Sequence, residues 1–531
     1  MKDVQNSSRR AFHTRVKAVM YASALLAALI PVSAQDNTWH RPDSLRAIHR
    51  SADIYNHLPS YHFYAPENKL NDPNGLCFWK GRWHMFYQAY PFSDPRQHWG
   101  HAVSSDMVHW EDLPLAITPG PEEYVYSGGT FVEDDRVIAT YYGRPIGEMI
   151  AISSDSLLLN WNKVTGQPVI KAPEESEGKP YRTFDPYIWK QGKYYYLISG
   201  NWNLKGPGGR RFPTWFLFRS KDLEHWQYRH EFVEGDSYSL VGDDGACPYF
   251  VPIGKDKYLL IHFSHKSGAC YLIGDYDVKR EKFVVTGGGR INNAPAGNGG
   301  FHAPSAYSLG DGSVVVIYNT KSNDLAKGTY TTCMTLPSRL TLDEKGDLCV
   351  SAYGGYESLR SECVELKDIA LPAGEEIVLD GITGTSMEME MEFDANASSV
   401  EVDVLRDPQA KEYTRLVFYR NRGYADRSIM DDYHNKRNCA FMIDPSYSSS
   451  SPKAAPRVPE VCEVRLNDKE PLKLHIFIDR SIVEVFINDR QYTMLRVWPV
   501  GGNSTGVSVR SRTDTNLKEV RAWQMGSIYT P

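Results

Sequence analysis

The sequence predicts an all-β protein, a five-bladed β-propeller followed by a C-terminal β-sandwich, on three observations. Five segments share one plan: a short polar head, an apolar strand, a tight turn and a second apolar strand. Their heads recur at steps of one blade length. Beyond them the chain changes to strict apolar–polar alternation, the pattern of sheets with one buried and one wet face.

In chain order, the first head is Asn71-Asp72-Pro73-Asn74-Gly75, where Pro73 biases Asp72 towards an extended backbone and Asn74-Gly75 tolerates the bend that follows. Taken alone it reads as an ordinary turn. The plan then recurs at Tyr126-Ser127-Gly128-Gly129, Phe184-Asp185-Pro186, Ala246-Cys247-Pro248 and His302-Ala303-Pro304. From Asp72 through Ser127, Asp185 and Cys247 to Ala303 the steps are 55, 58, 62 and 56 residues. The strands of each pair meet at turns such as Lys80-Gly81, Gln191-Gly192 or Gly310-Asp311-Gly312. A second echo, Asp106 to Trp110, Asp155 to Trp161 and Asp222 to Trp226, belongs on the outer strands. Radial repetition brings the first strand of every blade to a common axis, so the carboxylates of Asp72 and Asp185 are expected to meet in one funnel. A sandwich or jelly roll also has many short strands, but neither predicts a polar head at blade spacing.

These patterns place the propeller at residues 52–345, a linker at 346–376 and the sandwich at 377–528. The alternation is plainest in Met387-Glu388-Met389-Glu390-Met391-Glu392 and Leu474-His475-Ile476-Phe477-Ile478-Asp479. Residues 445–459, rich in Ser, Pro and Ala, read as a surface loop of that domain. No helix of convincing length is expected after residue 34.

Ahead of all this, Arg9, Arg10, Arg15 and Lys17 precede an apolar run ending in Val32-Ser33-Ala34. That is the form of a signal peptide spanning residues 1–34, with a twin-arginine route as an alternative to the general one. The protein is therefore expected to be exported, periplasmic or extracellular, and no stretch is long and apolar enough for a membrane span. Residues 1–34 hold five basic and one acidic side chain, leaving 54 basic against 64 acidic residues, a net charge of −10 that argues against nucleic acid as a partner. The eight cysteines show no C-x-x-C spacing, although one or two disulfides are compatible with export. No metal cluster, phosphate loop or nucleotide fingerprint supports a cofactor. Oligomeric state is not legible.

Two carboxylates in a sugar-sized funnel point to glycoside hydrolysis, in which one group attacks or activates and the other protonates the leaving oxygen. Asn71-Asp72-Pro73-Asn74-Gly75, Phe86-Tyr87-Gln88, Trp99-Gly100-His101-Ala102-Val103-Ser104-Ser105-Asp106, Tyr126-Ser127-Gly128 and the stretch from Phe477 to Phe486 (FIDRSIVEVF) together resemble glycoside hydrolase family 32, the invertases, inulinases and levanases. The resemblance covers nearly all of the chain after residue 34. It implies a retaining β-fructofuranosidase acting on a β-fructoside or fructan such as sucrose, inulin or levan. Asp72 would be the nucleophile, kept ionised by donors such as Asn71 and Gln88. Asp185 would stabilise the transition state, Trp99 would form an aromatic wall and Ser127 a hydroxyl ligand. His302, at a head, is positioned to touch ligand, although structural hydrogen bonding is the default for it and for His101 and His109.

Two positions depart from the family pattern. Where the family has Arg-Asp-Pro this chain has Phe184-Asp185-Pro186; Arg182 shares a face with residue 184 in an extended chain, and either substitutes for the arginine or lies on the surface. Where the family has Glu-Cys-Pro this chain reads Asp243-Asp244-Gly245-Ala246-Cys247-Pro248. Alanine transfers no proton. Asp244 lies two residues earlier on the same side of an extended strand and is the expected proton donor, given a bend at Gly245. The alternatives are an acid from elsewhere in the funnel, or none, which would leave a fructan-binding propeller with weak or no hydrolase activity. A related propeller family acting on arabinan or xylan, with inverting chemistry, is disfavoured by Asn71-Asp72-Pro73-Asn74 and by the sandwich domain.

Overall fold

The computed structural model describes residues 57–65, 70–91, 94–201, 209–292, 300–320, 332–420, 438–454, 456–467 and 469–529. Residues 1–34, read as a signal peptide, lie outside them.

Five antiparallel sheets carry the five repeats. Blade 1 is built from Leu70–Trp79, Arg82–Ala89, His98–Ser104 and Trp110–Ile117 in sequential order. Blade 2 starts with Tyr124–Val132, Val137–Arg144 and Gly147–Ser153, whose outer edge pairs with two two-residue strands. Blade 3 runs through Pro186–Gln191, Tyr194–Ser199, Phe216–Ser220 and Gln227–Glu231. Blade 4 comprises Ala246–Ile253, Lys257–Ser264, Gly268–Asp277 and Lys282–Arg290, with Val233–Glu234 added in parallel at the outer edge. Blade 5 comprises Phe301–Ser308, Val314–Thr320, Ser338–Leu342 and Leu348–Ala352, and Cys333–Met334 also pairs with its second strand. The first strands of successive blades touch, and that of blade 5 returns to that of blade 1, which closes the ring.

The polar heads sit where the ladders are irregular. In blades 1, 2, 4 and 5 the pairing of the first two strands slips at Leu70/Pro73, Val125/Gly128, Ala246/Tyr249 and Phe301/Pro304. A bulge bends the strand and re-aims its side chains, so each head turns towards the axis instead of continuing the pleat. Asp185 and Cys247 do the same with positive φ, +35° and +48°. The second echo closes the turn from third to fourth strand: in blade 1, Asp106 Oδ1 accepts the backbone N–H of Val108 and His109, while the Trp110 indole donates to the Met107 carbonyl. Asp222 and Trp226 repeat this in blade 3.

The second domain stacks two six-stranded sheets. Met387, Met389 and Met391 pack with Leu474, Ile476 and Ile478 in its core, as their alternation requires. Residues 346–376, expected as a linker, carry instead the last strand of blade 5, Leu348–Ala352, and the first strand of the sandwich, Arg360–Leu371. The reason lies in pairing partners far along the chain. Arg360–Leu371 pairs with Thr515–Met525, so its mostly exposed side chains gave no local signal of a sheet. Helical structure among the described residues includes two short 3₁₀ turns, Glu175–Glu177 and Tyr356–Leu359, and among these residues no helix is long and apolar enough to cross a membrane. None of the eight cysteines is bridged among the described residues.

The stretch Phe477 to Phe486 joins the domains. Asp479, fully buried, accepts the N–H groups of Ser60 at 2.7 Å, Tyr61 at 2.8 Å and His62 at 3.1 Å, and the His62 ring at 2.9 Å. Glu484 takes the other ring nitrogen of His62 at 3.2 Å and the N–H of Leu336, beside blade 5. Burial opposes charge on His62, yet its bonds to these two carboxylates hold its pKa above the ordinary value.

Candidate active site

At the axis the heads surround a cavity of about 550 Å³, large enough for a furanose ring and part of its neighbour. Asp72 and Asp185 both line it. Their Oδ2 atoms lie 3.7 Å and 3.4 Å from one sulfur, Cys247 Sγ, so the carboxylates of blades 1 and 3 are no more than about 7 Å apart. They converge, as the repeat implied.

Asp72 is contacted from three other blades. Ser127 Oγ donates to Oδ2 at 2.8 Å, the His302 ring meets Oδ1 through Nδ1 at 3.0 Å, and the Cys247 thiol points at Oδ2. Asn71 and Gln88, expected to donate to the nucleophile themselves, act one step removed. Asn71 Nδ2 donates to Gln88 Oε1 at 2.8 Å, Gln88 Nε2 donates to Ser127 Oγ at 2.6 Å, and Ser127 passes its own proton on to Asp72. Ser127, expected as a ligand of the sugar, is itself buried and spends its hydroxyl on Asp72. On the opposite side Asn319 Oδ1 accepts from the Ala303 N–H at 2.9 Å and lies 3.2 Å from His302 Nδ1, while its Nδ2 donates to Asn71.

Asp185 accepts the Cys247 N–H at 3.1 Å. Burial, and next the negative charge of Asp72, push its pKa up to about 7. The two carboxyls are thereby differentiated: one rests among donors, the other holds a proton far more readily than an ordinary aspartate. The Cys247 thiol, buried between them, is pushed well above its usual value and stays protonated.

Two expected roles are corrected, and a third position is placed. Trp99 is fully buried and does not line the cavity. Propeller blades are covered on both faces, so Trp99 stacks on Phe86 and donates its indole N–H to the Tyr126 carbonyl at 2.9 Å. The aromatic walls come instead from Tyr90, Tyr126, Tyr142, Phe184 and Phe263. Arg182 does line the cavity, with its guanidinium bonded to the carbonyls of Tyr181 and Lys179, so it is not merely a surface residue. Asp244, expected as the proton donor, is fully buried and does not line the cavity. Its Oδ2 faces Arg211 at 3.2 Å and its Oδ1 the His265 ring at 3.1 Å, because the chain turns it behind the head instead of beside Ala246. Its neighbour Asp243 is likewise committed, to Ser264 and Ser267.

Cys247, Asn319 and His265 were not singled out as site residues. A signal existed for the first two: Cys247 is itself a head, and Asn319 occupies in blade 5 the place of Gln88 in blade 1, each one residue before the partner of its first strand's opening residue. His265, in the turn between the second and third strands of blade 4, had none.

Comparison with known proteins agrees with this geometry. The profile of the glycosyl hydrolases family 32 N-terminal domain matches residues 62–352, and that of the family 32 C terminal matches residues 355–524. A levanase of Bacillus subtilis is 27% identical over 87% of this chain and 70% of its own length. A raffinose invertase of Escherichia coli is 25% identical over 88% and 95%. The crystal structure of fructan 1-exohydrolase IIa from Cichorium intybus superposes with a TM-score of 0.74 at 22% identity, covering 89% of this chain and 98% of that one, and so shares the fold. With the two domain profiles together matching most of the chain over propeller and sandwich, the chain belongs to glycoside hydrolase family 32, a family of β-fructosidase glycoside hydrolases.

Proposed function

We propose that the protein is exported and cleaves β-fructofuranosidic bonds, in sucrose, inulin or levan, with retention of configuration. The observation that carries the reading is the set of contacts from three other blades to Asp72, a buried carboxylate that lines a sugar-sized cavity. Asp72 attacks the anomeric C2 of the fructosyl unit and forms a covalent ester, which water then hydrolyses. Asp185, within about 7 Å, contacts the fructose hydroxyls and, in its ionised form, stabilises positive charge developing on the ring. The names of the relatives, a levanase and a raffinose invertase, support the fructoside class. The basic-then-apolar N-terminus supports export.

A second reading is favoured by one observation. Ala246 lines the cavity at the position where a proton donor is expected, which suits a propeller that binds fructan and hydrolyses it poorly or not at all. Incubating the purified protein with sucrose, inulin, levan and an activated aryl fructoside tests both. Release of free fructose, first as the β-anomer by NMR, supports the retaining hydrolase; binding without release from any substrate supports the second reading. An N-terminus at Gln35 in secreted protein would support export.

A further inference from the structure

Ala246 leaves the leaving-group oxygen without the expected acid, and the structure offers a replacement on the same blade. Ala246 pairs with Phe263, and two residues beyond Phe263 the chain turns at His265. The His265 ring lines the cavity together with Ala246, Phe263 and His302. It stands edge-on to Phe263 with 4.9 Å between centroids and 6.4 Å from the ring of His302, whose Nδ1 is 3.0 Å from Asp72. Its side chain is one-third exposed, so it meets both the cavity and solvent.

What distinguishes this histidine is how it is held. Asp244, with no exposed surface, engages His265 Nδ1 at 3.1 Å and also receives the His265 backbone N–H. Arg211 anchors the other oxygen of that carboxylate at 3.2 Å. The adjacent Asp243 fixes the same turn by accepting the hydroxyls of Ser264 at 2.8 Å and Ser267 at 2.5 Å. A carboxylate on Nδ1 holds the neutral ring as its Nδ1–H tautomer and leaves Nε2 as the atom that takes up and gives back a proton, the arrangement a proton-transferring histidine requires. Charged and titratable groups near the ring include Asp244 and, behind it, Arg211, with the ring of His302 6.4 Å away.

We infer that His265 is the general acid and base of this enzyme in place of the absent glutamate, with Asp244 as its positioning residue. The inference rests on the fructosidase reading above. In the first step Asp72 forms a bond to C2, the bond from C2 to the leaving oxygen breaks with its electron pair going to that oxygen, and the oxygen takes the proton of imidazolium Nε2. In the second, neutral His265 takes a proton from water as the water oxygen bonds to C2, and the ester bond breaks to return the Asp72 carboxylate. One water is consumed, fructose and the alcohol are released, and His265 ends protonated as it began.

The test compares sucrose, whose leaving oxygen needs a proton, with an activated aryl fructoside, whose does not. His265→Gln, at an exposed turn, is expected to lower kcat on sucrose by ~10²-fold or more while fructosylation by the aryl substrate is retained within a few-fold. Asp244→Asn is expected to lower the same ratio of sucrose to aryl rates, with KM little changed; a merely structural role would depress both substrates together. Adding Ala246→Glu to His265→Gln is expected to restore sucrose cleavage. If His265→Gln leaves sucrose cleavage intact, or lowers both substrates equally, the assignment is overturned while the fructosidase reading stands. If the unmodified protein releases fructose from neither substrate, both fall together.

Discussion

His302 Nδ1 lies 3.0 Å from Asp72 Oδ1, joining the head of blade 5 to that of blade 1. Two residues 230 positions apart thus form one contact at the cavity, and the same ring nitrogen lies 3.2 Å from Asn319 Oδ1. A polar partner of a charged group contributes up to roughly 3 kcal/mol. His302→Ala is therefore expected to lower kcat/KM about 10- to 100-fold, on sucrose and on an activated aryl fructoside alike, since both require the nucleophile. Equal rates for variant and parent would remove His302 from this role.

Asp72→Asn is expected to abolish fructose release, by at least ~10³-fold, because an amide cannot form the fructosyl ester. Blade packing does not depend on its charge. The variant should keep its circular-dichroism spectrum and melt within a few degrees of the parent; activity within severalfold of the parent would exclude Asp72 as nucleophile.

Asp185 links activity to stability. Its folded-state pKa of about 7 lies above the ordinary aspartate value because of burial and the Asp72 charge. Between about pH 4 and 7 the unfolded chain has lost this proton while the folded protein retains it, so this group makes stability fall as pH rises through that window and leaves a constant cost above it. Asp185→Asn removes the titration. Variant and parent should melt alike near pH 4 and diverge towards pH 8, where the variant is more stable by roughly 2–4 kcal/mol and inactive. A difference independent of pH would mean that the carboxyl is not held protonated.

The junction gives a stability prediction separate from catalysis. Asp479 is buried against three backbone N–H groups and the His62 ring. Removing one partner of such a pair leaves buried groups uncompensated, which costs about 3–5 kcal/mol. Asp479→Ala should lower the urea midpoint accordingly, while the fraction that remains folded cleaves sucrose with the KM of the parent. A change in KM without a change in the midpoint would assign Asp479 to the sugar site instead.

Blade count, the convergence of Asp72 with Asp185 and the sandwich that follows were all legible in the chain, because each rests on a local pattern. Bulge-forming heads recur at blade length, and Met387, Met389 and Met391 alternate with glutamates as a half-buried strand must. The pairing of the first two strands of each blade followed too, since antiparallel neighbours joined by tight turns leave little choice.

Which way individual side chains face was decided between blades. Trp99 occupies a strand covered on both sides, so its ring went into the wall behind the cavity rather than into its surface. Asp244 met Arg211, 33 residues upstream, and His265, 21 residues downstream, and these partners, not its distance from Ala246, fixed its direction. Arg360–Leu371 is a strand only because Thr515–Met525 lies beside it. Period and turn chemistry act over a few residues and can be read along the chain; the pairing of buried charges and the covering of faces depend on segments brought together by folding, and so took their form only when the propeller closed.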